Sequence, residues 1–231
     1  MSHVVHPYSH RLGIIRNWKS RWFGTKESYV NSLRGDIVIR EFLDKKLRGY
    51  FVGNVEIERE EKAIKVIIET SRPGMVIGRK GEGSTKLKKE LLSLLTKKKL
   101  IGNEELRIDI QEIKSPESNA SVAAQMIAEA LEKRLPFRRA VKQTMEKVMA
   151  NRDVLGVKII VAGRLGGADM ARKEKIKQGR IPLQTLRADI DFSRFEARLP
   201  YGTIGIQVWI YKGEVFDSQI KSRLSSKKLE M

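Results

Sequence analysis

The sequence contains no cysteine, which excludes disulfides, thiolate metal ligands and cysteine nucleophiles together. No apolar run approaches the ~20 residues that a membrane-spanning helix needs. The opening MSHVVHPYSHRLG lacks the continuous apolar segment of a secretory signal, so no export is expected. Acidic side chains are the next shortage. Asp and Glu total 28 against 46 Lys and Arg, leaving a formal charge of +18 and a pI near 10.1. Such an excess repels itself unless a polyanion neutralises it, which makes nucleic acid the leading partner and an acidic membrane surface the competing one. A hydrophobic content of 41% argues against wholesale disorder, and 231 residues suffice for one large core or two small ones. The expected class is a soluble, cytoplasmic nucleic-acid binder. Its charge is uneven: +6 over residues 1–50, +3 over 51–116 and +9 over 117–231.

Residues 1–25 mix Arg11, Arg16, Lys19 and Arg21 with Trp18, Trp22 and Phe23 without a period, which reads as an irregular basic arm. The stripe Tyr29, Val30, Leu33, Ile37, Phe42 and Leu47 predicts a helix over about 26–48, stopped by Gly49. Alternation at Val55 and Ile57, then at Ile64, Val66 and Ile68, predicts two strands joined near residues 60–62. Leu87, Leu91, Leu94 and Leu95 predict an amphipathic helix, and Leu106, Ile108 and Ile110 a strand over 105–113. Pro116 and the small polar residues of KSPESNAS mark a domain boundary, with Ser118 or Asn119 as the next N-cap. Beyond it come helices over about 119–134, with Ala120, Ala123, Ile127, Ala130 and Leu131 inward, and over about 137–151. Strands follow at VKIIVAG after Gly156 and over 172–179, 183–192 and 203–211. The expected fold is α+β: an arm (1–25), a first domain (26–116), a C-terminal α+β domain of two helices packed on a mainly antiparallel sheet (117–215), and a basic tail (216–231).

Four glycines and three cations crowd the stretch RPGMVIGRKGEG, residues 72–83. A phosphate-cradling NTPase loop would close on Lys-Ser or Lys-Thr, but Glu82 follows Gly81; a G-x-G-x-x-G dinucleotide fingerprint is absent too. What remains is a GXXG pattern, Gly78-Arg79-Lys80-Gly81, between a short helical element ending near Ile77 and a helix starting near Ser84. With helix–strand–strand before it and helix–strand after, this is the prokaryotic-type (type II) KH arrangement, whose loop clamps about four nucleotides through their backbone. Glycines admit backbone to backbone, helix-end amides face phosphates, and Arg79 and Lys80 add charge. Val76 and Ile77 are expected to line the apolar side of that groove.

Other clusters are weaker. His3, His6 and His10 lack carboxylate company in an arm broken by Pro7, so no metal site is expected. Asp189 and Asp191 could serve a metal-dependent nuclease, but salt bridging to Arg187 and Arg194 is the expected role. Trp18, Trp22 and Trp209 could stack on bases or fill a core. Lys173, Lys175 and Lys177 recur at period two and share one strand face: a phosphate-contacting ribbon or a plain solvated edge. Arg138 and Lys142, four apart, lie together off the apolar stripe Val141, Met145 and Val148; on spacing alone a solvated charge face is the favoured reading.

Four stretches carry a family resemblance over nearly the whole chain: HPYSHRLGI, RPGMVIGRKGE, GVKIIVAGRLGGADMAR and GRIPLQTLRADIDFSRFEARLPYGTIGIQVWIYKGE. The sequence resembles the bacterial small-subunit ribosomal protein three family, although its opening departs from that family's usual GQKVHP…GFRLGI. The resemblance implies a non-enzymatic constituent of the 30S subunit head that contacts 16S rRNA and neighbouring head proteins and lines the channel by which mRNA enters. It implies that Arg138, Arg139 and Lys142, in FRRAVKQ, face incoming mRNA and help unwind it. No cofactor or small-molecule substrate is expected, and without an ATP motif any unwinding is passive. Arg11, Arg16, Lys19, Arg21, Arg164, Arg172, Lys173, Lys175, Lys177 and Arg180 are the candidate rRNA contacts. A free KH-type RNA-processing factor and a nucleic-acid repair enzyme are the alternatives.

Overall fold

The computed structural model describes residues 5–60, 63–100 and 104–216, and they divide into two compact units. Residues 18–116 form one; those up to 17 join those from 117 onward in the other. His3, most of the 60–62 link and nearly all of the basic tail lie outside the described residues.

The first unit runs β1 (Ser20–Arg21), α2 (Lys26–Lys46), β2 (Val52–Arg59), β3 (Ala63–Thr70), α3 (Pro73–Ile77), α4 (Glu82–Lys97) and β4 (Glu105–Glu112), with α1 (Pro7–His10) belonging to the other unit. The sheet order is β1-β2-β3-β4, antiparallel only between β2 and β3. From α2 onward the order is αββ-ααβ, the type II KH arrangement. Ile39, Leu43 and Leu47 of α2 meet Leu87, Leu91 and Leu95 of α4 over Ile57, Ile64, Val66, Ile68 and Leu106 from the sheet. The leucines at i, i+4 and i+8 of α4 thus bury one face, as their spacing requires.

Helix α2 corrects the sequence reading. Tyr29, Val30, Leu33 and Ile37 are 42–49% exposed, and the inward face of this half carries Gly35 and Asp36. The cause is a buried ion pair. Arg59 Nε donates to Asp36 at 2.9 Å and Trp22 Nε1 donates to the same carboxylate at 2.8 Å. Gly35 makes room, since a Cβ there would lie 2.5 Å from the Arg59 guanidinium. A charged pair held from another strand leaves no trace in hydrophobic periodicity.

In the second unit, α5 (Ala120–Glu132) and α6 (Phe137–Met149) precede β5 (Gly156–Gly163), β6 (Arg172–Gly179), β7 (Ala188–Leu199) and β8 (Gly202–Glu214). The four strands pair antiparallel in the order β6-β5-β8-β7. Asn119 caps α5 by accepting from the Ser121 and Val122 amides. Val157, Ile159 and Val161 alternate toward the helices, joined by Ile204, Ile206, Val208 and Ile210.

Strand β7 starts at Ala188 rather than at 183 and runs on to Leu199. Pairing slips between Ala188 and Ile190, and the apolar residues upstream do different work. Ile181 and Leu183 lie over Ile160, Ile190, Trp209 and Tyr211, covering part of the sheet face opposite the helices. The N-terminal segment joins this cover: His6 meets Phe192 edge-on at 4.7 Å. Arg11 is fully buried there, with Nε to Ala188 O at 2.5 Å, Nη1 to Pro7 O at 3.0 Å, and Nη2 to Leu183 O and Thr185 O at 2.9 Å each. One guanidinium therefore ties the segment before residue 17 to the 183–188 loop.

Candidate nucleic-acid interface

The glycine loop has the geometry its composition calls for. Helix α3 ends at Gly78 (φ +71°), a single 3-10 turn covers Arg79–Gly81, and α4 begins after Gly81 (φ +80°). Lys80 takes φ +51°, a left-handed conformation uncommon for a side-chain-bearing residue, at the tip of the turn. A Cβ on Gly83 would lie 2.6 Å from Val76 O and 2.8 Å from Ile77 O, so α4 approaches α3 with no room for a side chain. Ser84 and Thr85 hydroxyls donate to Gly81 O at 2.9 and 3.0 Å, fixing the turn onto α4, whose first N–H groups have no intrahelical acceptor. Arg79 and Lys80 are exposed and make no ion pair among the described residues. Ile77 is half exposed, but Val76 is a core residue at 3% exposure and cannot line the groove; it anchors the loop from beneath.

Helix α6 presents the second basic group. Ala140, Val141, Thr144 and Val148 are buried, while Arg138, Arg139 and Lys142 are exposed. Arg138 donates to Glu174 Oε1 at 3.1 Å, and Arg172 reaches the same oxygen at 3.5 Å. Both guanidiniums lie over the Phe137 ring, at 5.6 and 5.7 Å. The hydrogen bond to Glu174, then its charge, raises the Arg138 pKa further, so this group stays cationic. Arg139 and Lys142 have no ion-pair partner among the described residues.

The remaining candidates separate by what already holds them. Arg11 is withdrawn from any surface role, because its donors are engaged by four carbonyls and it has no exposure. Arg16 pairs with Asp189 at 2.6 Å; burial opposes its charge, but Asp189 and Asp191 outweigh burial and raise its pKa. Arg21 bonds Glu56 and Glu58 at 2.7 and 2.5 Å. Arg164 holds the Ala168 and Tyr201 carbonyls and Asp169. Lys19, Lys173, Lys175, Lys177 and Arg180 are exposed.

Asp189 and Asp191 are structural groups. Asp189 meets Arg16 rather than Arg187 or Arg194, and Asp191 accepts from the Ala120 amide at 2.8 Å, capping α5. No group of three or more potential metal ligands occurs among the described residues. Trp209 is buried and Trp22 half-buried, with its Nε1 donated to Asp36, whereas Trp18 is 60% exposed. One cation was missed by the sequence reading. Lys158 lies over the Trp209 ring at 4.3 Å and is paired in register with Lys177, a cross-strand neighbour revealed only by sheet order.

Comparison with known proteins decides the family. A KH domain model matches residues 38–118, and a model of the ribosomal protein S3 C-terminal domain matches residues 127–210. The small ribosomal subunit protein uS3 of Caldicellulosiruptor saccharolyticus is 49% identical over 215 residues, covering 93% of this chain and 94% of that protein. The chain belongs to the uS3 family. The uS3 of Xanthomonas euvesicatoria pv. vesicatoria is 46% identical over 94% of this chain and 86% of its own length, and that of Clostridium novyi 43% over 95% and 96%. As a uS3 protein it is an RNA-binding component of the small ribosomal subunit. The uS3 family is not enzymatic, which removes the repair-enzyme alternative.

Proposed function

We propose that this uS3 protein binds 16S rRNA in the subunit head, beside neighbouring head proteins in the cytoplasmic ribosome, and lines the channel by which mRNA enters. Arg138, Arg139 and Lys142 grip the backbone of the incoming strand while the ribosome draws it through. Base pairs open ahead of the grip without any chemistry in this chain, because phosphate contacts position a strand and do no work of their own. The observation that carries the reading is the exposure of all three cations on one helix packed by a buried stripe, Arg139 and Lys142 with no carboxylate engaged among the described residues. Three phosphate contacts to a single strand correspond to a salt slope of about 2. The GXXG loop, with Gly78, Arg79, Lys80 and Gly81 open at its surface, and the exposed Lys19 and Arg180 supply rRNA contacts.

The test places a photoreactive residue at Gln143, an exposed position beside Lys142, and illuminates translating ribosomes. The protein is expected to sediment with small subunits at moderately high salt and to cross-link to mRNA. Cross-links to 16S rRNA alone would overturn the mRNA role. Protein left at the top of the gradient would favour a free RNA-processing factor instead.

A further inference from the structure

The cover over the outer face of the C-terminal sheet is partial. It lies on Ile160, Ile190, Trp209 and Tyr211, and beyond it the face is open. In register across β6 and β5 stand Lys173 opposite Ala162, Lys175 opposite Ile160, and Lys177 opposite Lys158. None of these four lysines has an ion-pair partner among the described residues. The one acidic side chain of β6, Glu174, falls on the opposite face with Arg138, as strand alternation requires. Burial, then the charges of Lys175, Lys173 and Lys177, pulls the Lys158 pKa below the ordinary lysine value.

Shape agrees with charge. Beside the lysines the sheet is floored by Ala162 and Gly205, and a Cβ built on Gly205 would meet only Ala162 O, at 3.8 Å. A polymer backbone can lie directly on this floor. Alternate lysines on one strand repeat every ~6.7 Å, comparable to the separation of successive phosphates along one nucleic-acid strand. Base stacking is not on offer, since Trp209 is 4% exposed beneath Lys158. On β7, Arg194 and Glu196 stand opposite Gln207 and Gly205 and together add no net charge.

We propose that Lys158, Lys173, Lys175 and Lys177 form a second nucleic-acid site, which grips the phosphates of one RNA strand without regard to base sequence. It rests on the reading of this chain as an RNA-binding ribosomal protein and is separate from the FRRAVKQ face of α6. Its ligand is RNA backbone rather than an acidic lipid surface, because the lysines repeat at phosphate spacing beside a floor of Ala162 and Gly205 on which a strand can lie, in a chain of an RNA-binding family.

The test measures binding of the full chain to a 20-nucleotide oligouridylate by fluorescence anisotropy between 50 and 200 mM salt. The variants are K173A/K175A/K177A, the polar replacement K173Q/K175Q/K177Q, and a charge-matched control, K45A/K97A/K98A, at exposed lysines of α2 and the end of α4. Both ribbon variants should lower the slope of log K against log salt by about 2, from three lost single-strand phosphate contacts, with the control changed by much less. Equal losses in ribbon and control would overturn the site while leaving the RNA-binding reading intact. Wild-type protein that fails to bind the oligouridylate at any of these salts would overturn both. Ribbon-dependent binding to phosphatidylserine vesicles with oligouridylate binding unchanged would reassign the face to lipid and overturn the proposal.

Discussion

Replacing Arg11 by methionine removes every donor from a buried junction while keeping most of the side-chain volume. Four carbonyls, of Pro7, Leu183, Thr185 and Ala188, lose their partner at once. Hydrogen bonds from a charged donor contribute about 1.5–3 kcal/mol each, so the gross loss is roughly 6–12 kcal/mol. Against it stands the relief of burying a guanidinium, itself several kcal/mol. Burial is the largest influence on the Arg11 pKa and lowers it, partly countered by Asp189. The net destabilisation should be about 3–5 kcal/mol, the gross loss less the relief of desolvation. Urea denaturation with hydrogen exchange of the β7 and β8 amides measures it, and β7 should lose protection first because Ala188 is its first residue. Arg11→Lys should recover only part of the loss, since one ammonium has three donors for four acceptors. A loss below about 1 kcal/mol, or protection lost evenly over both units, would refute the claim that this arginine ties the N-terminal segment down.

Gly83→Ala sets helix propensity, about 1 kcal/mol in favour of alanine, against a Cβ within 2.6 Å of Val76 O. The clash should win, with the 18–116 unit losing about 1–3 kcal/mol in a thermal melt; a gain in stability would contradict the close approach of α3 and α4. Lys158, whose pKa is lowered in the fold by burial and then by the neighbouring lysines, should release its proton at lower pH in the folded than in the unfolded chain, in an NMR titration of methylated lysines. In the window between its folded and unfolded pKa values the unfolded chain binds more protons, so its contribution to stability rises with pH; identical titration in the folded and unfolded chain would contradict its burial over Trp209.

What the sequence disclosed depended on how local each cause is. Leu87, Leu91 and Leu95, the Asn119 cap and the alternation of β8 follow from neighbours a few residues away, and all were legible. Helix α2 was misread on one face because Asp36 is buried by Arg59, which arrives from a different element. The start of β7 was misplaced because Ile181 and Leu183 are apolar for covering the sheet rather than for joining it. The same division holds for the site. The exposure of Arg138 and Lys142 was readable from their offset to the buried stripe of α6, whereas Arg139 and the role of all three came only from the family resemblance. Arg11 looked like any arm cation until the fold surrounded it, and Lys158 lay unnoticed in an apolar strand until β6 came alongside.

The central claim is that the three exposed cations of α6 handle mRNA, apart from the RNA contacts proposed elsewhere in the chain. It is tested most directly by ribosomes carrying R138A/R139A/K142A, timed on matched messages with and without a stable hairpin. The account predicts normal subunit assembly, near-normal rates on the unstructured message and a selective slowing at the hairpin. Equal slowing on both messages, or no slowing on either, would contradict it.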